Sequence, residues 1–348
     1  MHADVINVLS DNYYVESAVW DLDLSWFISD DDGKIKFNGE NKKTVLHPIV
    51  KPFLKNAVKQ LYDVIKAYEP DMIVSVSDCV YINPICAIKM LDPSIFAWLG
   101  ILAIDALPIN EKIINHFENI DYILTTTNAA YKAITEEVNV DCEYLPYGPN
   151  HKRFFTYKHD RTEGDFRIMN CSTNSQSSNI VSFMLALRDL PENINGYLHT
   201  NMSSPGDYDL ELLIERYSLG GKLSFPVNFV SINDGIDFSS LNEQYNKSNV
   251  ILDLSVRSST ALTVLEGMAA GCIPLVTPVG ALREVVDMMP ETIREILVLN
   301  SVKYIGDYEK EYFVVSVKDV VYKIMLLNEL RKNKDFYNQL MIDAQTVS

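Results

Sequence analysis

Ser255-Val-Arg-Ser-Ser-Thr-Ala-Leu-Thr-Val-Leu-Glu266-Gly-Met-Ala-Ala-Gly271-Cys-Ile-Pro274-Leu-Val-Thr-Pro-Val-Gly280-Ala-Leu-Arg-Glu284 is the stretch that decides the fold. It starts where an apolar run, Val250 to Leu254, gives out, passes through small hydroxyl and alanine residues, and enters a predicted helix with an apolar side of Leu262, Leu265, Met268 and Ala269. Gly271 stops that helix, and Ile273 to Val276 reads as another buried strand. Small residues at a strand-to-helix turn let a ligand approach the backbone, and unbonded amides in a first helical turn suit a phosphate. A phosphate at Ser259, Thr260, Ala261 and Leu262 would lie at the carboxyl edge of a parallel sheet, where open α/β folds bind ligands.

Working outward, the same strand-and-helix alternation extends back to Arg161. Phe166 to Cys171, Gly196 to Thr200 and Leu223 to Phe225 read as strands, with helices over Ile180 to Leu190 and Leu210 to Tyr217. An earlier series has strands at Asp4 to Leu9, Met72 to Val76, Phe96 to Ile104, Tyr122 to Thr126 and Glu143 to Leu145. It also has a helical period over Ile49 to Tyr68. Asp30 to Gly33 reads as a tight turn between Trp26 to Ile28 and Ile35 to Phe37, a surface hairpin. The bridge from Pro146 to Gly164 is rich in Pro, Gly and charge. The expected division is therefore a domain over 1–148, a linker over 149–164 and a second domain over 165–348.

Bulk composition agrees with two ordinary globular domains, since 348 residues at 47% hydrophobic content can bury more than one core. Lys and Arg number 30 against 47 Asp and Glu, and the resulting net charge of -17 disfavours nucleic acid as a partner. The five cysteines are scattered, with no Cys-x-x-Cys pair, and read as reduced thiols of a cytosolic protein. No metal cluster is legible. The longest apolar run, Ile95 to Ile104, is broken by Gly100 and falls short of the roughly 20 residues of a membrane helix. The start Met1-His-Ala-Asp4 carries no basic region and no apolar run, so no signal peptide is expected in it.

The Ser255 to Glu284 segment resembles the retaining glycosyltransferases of family 4. Their pattern runs Pro-Ser-x-x-Glu, a second Glu on the following helix, Ala-Met-Ala-x-Gly-x-Pro and a closing Gly-Gly-x-x-Glu. Ser255, Glu266, Met268, Ala269, Gly271, Pro274, Gly280 and Glu284 stand in that register. The likeness continues in Leu241-Asn-Glu-Gln-Tyr245, in Leu210 to Phe225 and in Pro146-Tyr-Gly148, and it weakens toward the first half. It implies GT-B architecture, two Rossmann-like domains facing each other across a cleft. It further implies a nucleotide-sugar donor carrying UDP or GDP, no obligatory metal or other cofactor, and transfer with retention to a glycan, lipid-linked or protein acceptor. An assembly of identical copies stays open.

Carried over by position, Glu266 is expected to accept hydrogen bonds from the donor ribose, a task suited to a carboxylate facing two vicinal hydroxyls. Its alternative is a first-turn helix glutamate favoured by the macrodipole. Ser258 stands where the family has a sugar-facing glutamate, and Cys171 and Gln176 stand where it has an Arg and a Lys for the diphosphate. Ser172 and neighbouring amides could still hold phosphate oxygens, and Arg257 is the nearest cation in sequence to replace the missing pair. Asp105, at the end of an apolar strand, matches an acid that faces the sugar; the alternative is a loop residue before Pro108. No glycine-rich loop follows the first strand, so Ala3 to Leu9 resembles the second strand of the domain and a start lacking one βα unit of roughly 30 residues is expected. With Ser258, Cys171 and Gln176 in those places, a non-catalytic homologue that binds nucleotide-sugar or supports a partner is the second reading. A sugar-nucleotide epimerase is a third.

Overall fold

The structure is a computed structural model that describes residues 16–20, 27–29, 35–37, 45–49, 56–157, 160–200, 202, 206–226 and 237–348. The chain divides into two compact units. One holds Met1–Ala103, Ile109–Thr125 and Tyr131–Tyr144; the other holds Ile104–Pro108, Thr126–Ala130 and Leu145–Ser348.

In the first unit, β1 (Glu16–Trp20), β2 (Phe27–Ser29), β3 (Ile35–Phe37) and β4 (Val45–Ile49) form a sheet in the order β1-β4-β3-β2. Strands β2 and β3 pair antiparallel as the expected hairpin, while its turn, and the strand expected over Asp4 to Leu9, lie outside the described residues. The helix expected from Ile49 has a different start: Val45–Ile49 is a strand paired with β1, and α1 covers Ala57–Tyr68. Pro48 biases the residue before it toward extended backbone, β1 supplies a strand to pair with, and residues 50–55 of the expected helix lie outside the described residues. Helix α1 then buries Ala57, Leu61 and Ile65, the side its apolar spacing defines, and Glu69 ends it with φ 43 just before Pro70.

A second sheet of this unit is all parallel, in the order β5 (Met72–Asp78), β6 (Ala97–Ala103), β7 (Tyr122–Thr125), β8 (Glu143–Tyr144). Helices α2 (Asn83–Leu91) and α3 (Glu111–Phe117) connect its strands. Trp98 of β6 is fully buried and donates from Nε1 to Ser75 Oγ at 2.9 Å, so the largest side chain of the sheet loses no polar bond on burial. Buried Lys89 is held by the Phe96 carbonyl and by Asp121 at 2.8 Å.

Helix α4 (Asn128–Lys132) begins in the second unit, which holds a five-stranded parallel sheet. Its elements in chain order are β9 (Phe166–Cys171), α5 (Ile180–Asp189), β10 (Ile194–His199), α6 (Leu210–Arg216), β11 (Leu223–Ser224), α7 (Phe238–Asn246), β12 (Val250–Asp253), α8 (Leu262–Ala269) and β13 (Ile273–Val276). Beyond them come α9 (Gly280–Met288), α10 (Glu291–Leu297), the antiparallel hairpin β14 (Ser301–Ile305) and β15 (Glu311–Val315), α11 (Val317–Leu330) and α12 (Lys334–Val347). The sheet order is β11-β10-β9-β12-β13. From β9 the chain winds outward through β10 and β11, then returns to β12 on the other side. The strand order therefore reverses between β9 and β12, and such a switch point opens a crevice beyond the strands' carboxyl ends.

The core beneath that crevice is mainly apolar: Ile168, Met169, Phe183, Leu187, Ile251, Leu252, Val264, Leu265 and Met268 are all buried. Helix α8 lies close on β12 because Gly267 faces it; a Cβ there would meet Ile251 Cβ at 2.9 Å. Side chains of the segment expected as an interdomain linker pack within this unit. Phe154 is buried against Tyr245 and Phe238, with ring centroids at 5.9 and 6.0 Å. Buried Arg161 donates to the Ser248 carbonyl at 2.8 Å, to Asn246 Oδ1 at 3.1 Å and to the Ala270 carbonyl. No helix among the described residues is long and apolar enough to cross a membrane.

Candidate functional site

At the switch point, β12 ends at Asp253 and the loop Leu254 to Ala261 leads into α8. Ala261 is buried and left-handed at φ 49, and it caps α8 through its backbone alone: its carbonyl receives the amides of Val264 and Leu265 at 3.1 and 3.0 Å. The amides of Ser259, Thr260, Ala261, Leu262 and Thr263 make no hydrogen bond among the described residues. Ser259, Thr260 and Leu262 are partly exposed. The stretch expected to meet a phosphate thus presents unbonded donors at a helix entrance, where the dipole favours an anion.

Glu266 sits in the second turn of α8, and the first turn holds no acid, so the macrodipole does not account for it. Its carboxylate Oε2 accepts from the Tyr245 hydroxyl at 3.0 Å, and Tyr245 is fully buried. Burial pushes the Glu266 carboxyl up to about 7, against which the Tyr245 bond pulls it down. At the end of β9, burial pushes the Cys171 thiol up to about 12, with the charges of Glu266 and Asp253 adding to the shift. Burial also raises Asp253, whose Oδ1 accepts from the Ser255 amide at 2.9 Å. His199, at the end of β10, is pushed down to about 4 by burial and is neutral near pH 7.

The raised Glu266 carboxyl links stability to pH. Its folded value of about 7 exceeds the ordinary 4.5, so the stability it contributes is fully present below about 4.5 and is lost as the pH rises through 7. Without ligand, Glu266→Gln should melt above the parent protein at pH 8, by the equivalent of about 1–3 kcal/mol, and match it near pH 4.5. A melting-temperature difference that stays constant over this range would show that Glu266 is not a buried titrating group.

A rigid frame surrounds the loop. The Ser258 amide donates to the Asp105 carbonyl at 3.0 Å, the Ala281 amide donates to the Ser258 carbonyl at 3.1 Å, and the Thr126 hydroxyl donates to the Ser259 carbonyl at 2.8 Å. Gly280 is left-handed at φ 47, and a Cβ on it would come within 2.0 Å of the Ser258 oxygen. Both Glu284 oxygens accept backbone amides at the start of α4, Asn128 at 2.9 Å and Ala129 at 2.8 Å. Of the motif's closing residues, then, Gly280 provides clearance and Glu284 caps a helix. Glu284→Ala should cost about 1 kcal/mol in urea unfolding, the worth of an N-terminal cap; an unchanged midpoint would show that the cap adds nothing.

The carboxylate of Asp105 spans two cations: Oδ2 meets Arg257 Nη1 at 2.9 Å and Oδ1 meets Lys310 Nζ at 2.8 Å. Arg257 also reaches the Tyr312 hydroxyl at 3.4 Å. On the β9 side, Ser172 donates its hydroxyl to Asn170 Oδ1 at 2.6 Å, and the Gln176 amide donates to Asp207 at 2.7 Å. The structure therefore brings Arg257, Ser258, Ser259 and Asp105 into one bonded frame, and places Glu266 with Cys171 around Tyr245. Gln176 has an acid on its amide. Tyr245 and Lys310 are the residues that sequence reasoning did not assign. A buried tyrosine hydroxyl needs a partner, which is a usable signal for Tyr245; Lys310 lies in a hairpin with no motif to mark it.

No family model and no curated protein matches the chain. Solved structures do. Sucrose-phosphate synthase from Thermosynechococcus elongatus superposes with a TM-score of 0.71 at 16% identity, covering 98% of this chain and 85% of that one. HepE of Anabaena, in complex with UDP and glucose, gives 0.63 at 12% identity over 87% and 80%. The Escherichia coli trehalose-6-phosphate structure bound with UDP-2-fluoro glucose gives 0.60 at 11% identity over 99% and 95%. At these identities the likeness shows the fold, an α/β chain of two Rossmann-like domains of the GT-B kind.

Proposed function

We propose that this chain is a glycosyltransferase that takes its sugar from a UDP- or GDP-sugar. The observation that carries the reading is the arrangement at the switch point, where a half-buried carboxylate, Glu266, lies on the helix whose entrance presents the unbonded amides of Ser259 to Thr263. Those groups match the two ends of a nucleoside diphosphate, vicinal ribose hydroxyls for the carboxylate and phosphate oxygens for the amides. Two structures that share the fold were solved with UDP or a UDP-sugar analogue. Arg257 supplies positive charge beside the amides, in place of the pair that Cys171 and Gln176 do not provide.

Retention follows from the family 4 likeness. In that chemistry the bond from the anomeric carbon to the β-phosphate oxygen breaks, the acceptor oxygen bonds to the same face of the carbon, and the acceptor proton passes to the departing phosphate. Ser258 can offer the sugar a hydroxyl but no charge, and the acceptor is a glycan, a lipid-linked sugar or a protein. Donor turnover by the intact chain, followed as UDP or GDP release with and without oligosaccharide acceptors, tests the reading. Release of a free nucleoside diphosphate is expected.

A second reading, nucleotide-sugar binding without transfer, is favoured by one observation: Cys171 is a neutral thiol where a cation assists the leaving group. Saturable donor binding with no release above background would select it over catalysis.

A further inference from the structure

We infer that Asp105, Lys310 and Tyr312 are positioning residues that hold Arg257 with the rest of its guanidinium turned to the donor's diphosphate, an inference that rests on the donor-site reading above. Arg257 spends a single nitrogen, Nη1, on its protein partners: Asp105 Oδ2 at 2.9 Å and the Tyr312 hydroxyl at 3.4 Å. Its Nε and Nη2 make no hydrogen bond among the described residues. The guanidinium carbon stands 5.5 Å from the Tyr312 ring centroid, so a ring limits its swing on one side. Exposure falls in the same order, with the Arg257 side chain 35% exposed, Asp105 11% and Lys310 3%. The arginine is the member of the triad that a ligand can reach, and the other two lie behind it.

Charge explains why there are two cations. A lone Asp105–Arg257 pair would be nearly neutral and would attract a diphosphate weakly. Lys310, at 2.8 Å from the other carboxylate oxygen, offsets the Asp105 charge and leaves the triad with one net positive charge. That charge is expressed at Arg257, two residues before the unbonded amides that begin at Ser259. Backbone bonds fix the geometry further: the Phe313 amide donates to the Val256 carbonyl at 3.0 Å, and the Glu311 amide donates to the Leu107 carbonyl at 2.7 Å. The hairpin β14–β15 is thereby stitched to the residues on either side of the triad. An arginine held at one nitrogen can present its remaining fork to phosphate oxygens with little ordering left to do.

The test is titration calorimetry on the full chain with UDP, GDP, the matching nucleoside and inorganic pyrophosphate. For the nucleotide that the parent protein binds, Arg257→Gln and Lys310→Met should each weaken the diphosphate and pyrophosphate by about tenfold and leave the nucleoside unchanged. Lys310→Arg should restore most of the loss. Asp105→Asn separates orientation from charge: it raises the net positive charge, so an arginine acting by charge alone would bind the diphosphate more tightly, whereas an arginine that must be oriented binds it more weakly. Weaker binding is expected. Unfolding midpoints accompany each variant, and Arg257→Gln, on the half-exposed member, keeps the test open if a buried variant does not fold. Parent-like diphosphate binding in Lys310→Met or Arg257→Gln, equal losses for diphosphate and nucleoside, or tighter binding in Asp105→Asn would overturn the inference alone. A parent chain that binds neither UDP nor GDP overturns the donor reading, and this inference with it.

Discussion

Glu266→Ala is expected to abolish the thermal stabilisation that a matching UDP- or GDP-sugar gives the intact protein, while the unliganded chain stays folded. A ligand present at a hundred times its dissociation constant stabilises by about 2.7 kcal/mol. A carboxylate that accepts from two vicinal hydroxyls contributes two charge-assisted bonds, each worth about 1.5–3 kcal/mol. Losing both lowers affinity by on the order of a hundredfold or more, enough to erase the shift at fixed ligand. The fold tolerates the change because the carboxylate is a burden on the empty protein, as its value of about 7 records. Tyr245 loses an acceptor for its hydroxyl but keeps its ring packed on Phe154. Ribose hydroxyls call for the ionised carboxylate, so the parent's donor affinity should also be weaker at pH 6 than at pH 8. A variant that melts with donor as the parent does would take Glu266 out of the site.

Gly280→Ala should be the most damaging conservative change in the second unit. The residue has φ 47, which costs a side-chain-bearing residue about 1 kcal/mol by itself. The larger penalty is steric, since a Cβ 2.0 Å from the Ser258 oxygen cannot be accommodated and the carbonyl must move. That carbonyl receives the Ala281 amide, and the same residue's amide donates to Asp105, so the shift breaks the frame that aims the Ser259 to Thr263 amides. A loss of about 3–5 kcal/mol in urea unfolding is expected, together with weaker UDP binding in whatever fraction stays folded. A loss below about 1 kcal/mol would mean that the Ser258 carbonyl relaxes freely and that the frame is not rigid.

What the sequence made legible follows from how local each signal was. Phe166 to Cys171 and Ile273 to Val276 are apolar runs closed off by polar or small residues, and they form strands with those bounds. Of the helix expected over Ile49 to Tyr68, Ala57–Tyr68 is helical and Ile49 belongs to a strand, because a helical period in apolar residues says nothing about whether a neighbouring strand claims Val45 to Ile49. In the site, the motif register marked Glu266 and the Ser259 to Leu262 amides, and the alternative reading put Glu266 in a first helical turn; a left-handed Ala261 that no propensity predicts sets the entry and leaves Glu266 in the second. Asp105 could be flagged as an acid in need of partners. Its partners could not be named, because Lys310 is 205 positions away and depends on the whole sheet to bring it near.

That distance along the chain bears on how the protein reaches its native state. The bonds that complete the loop join residues separated by 133 positions for Thr126 and Ser259, 155 for Ala129 and Glu284, and 205 for Asp105 and Lys310. Closing loops of such length yields no reward until most of the intervening chain has already ordered. The parallel sheet and its helices can therefore assemble first, with the ligand-binding edge as the last part to set. Hydrogen exchange at the Ser258 and Ala281 amides would reveal a soft rim on a firm core, protected fully only when the far ends of the sequence have met.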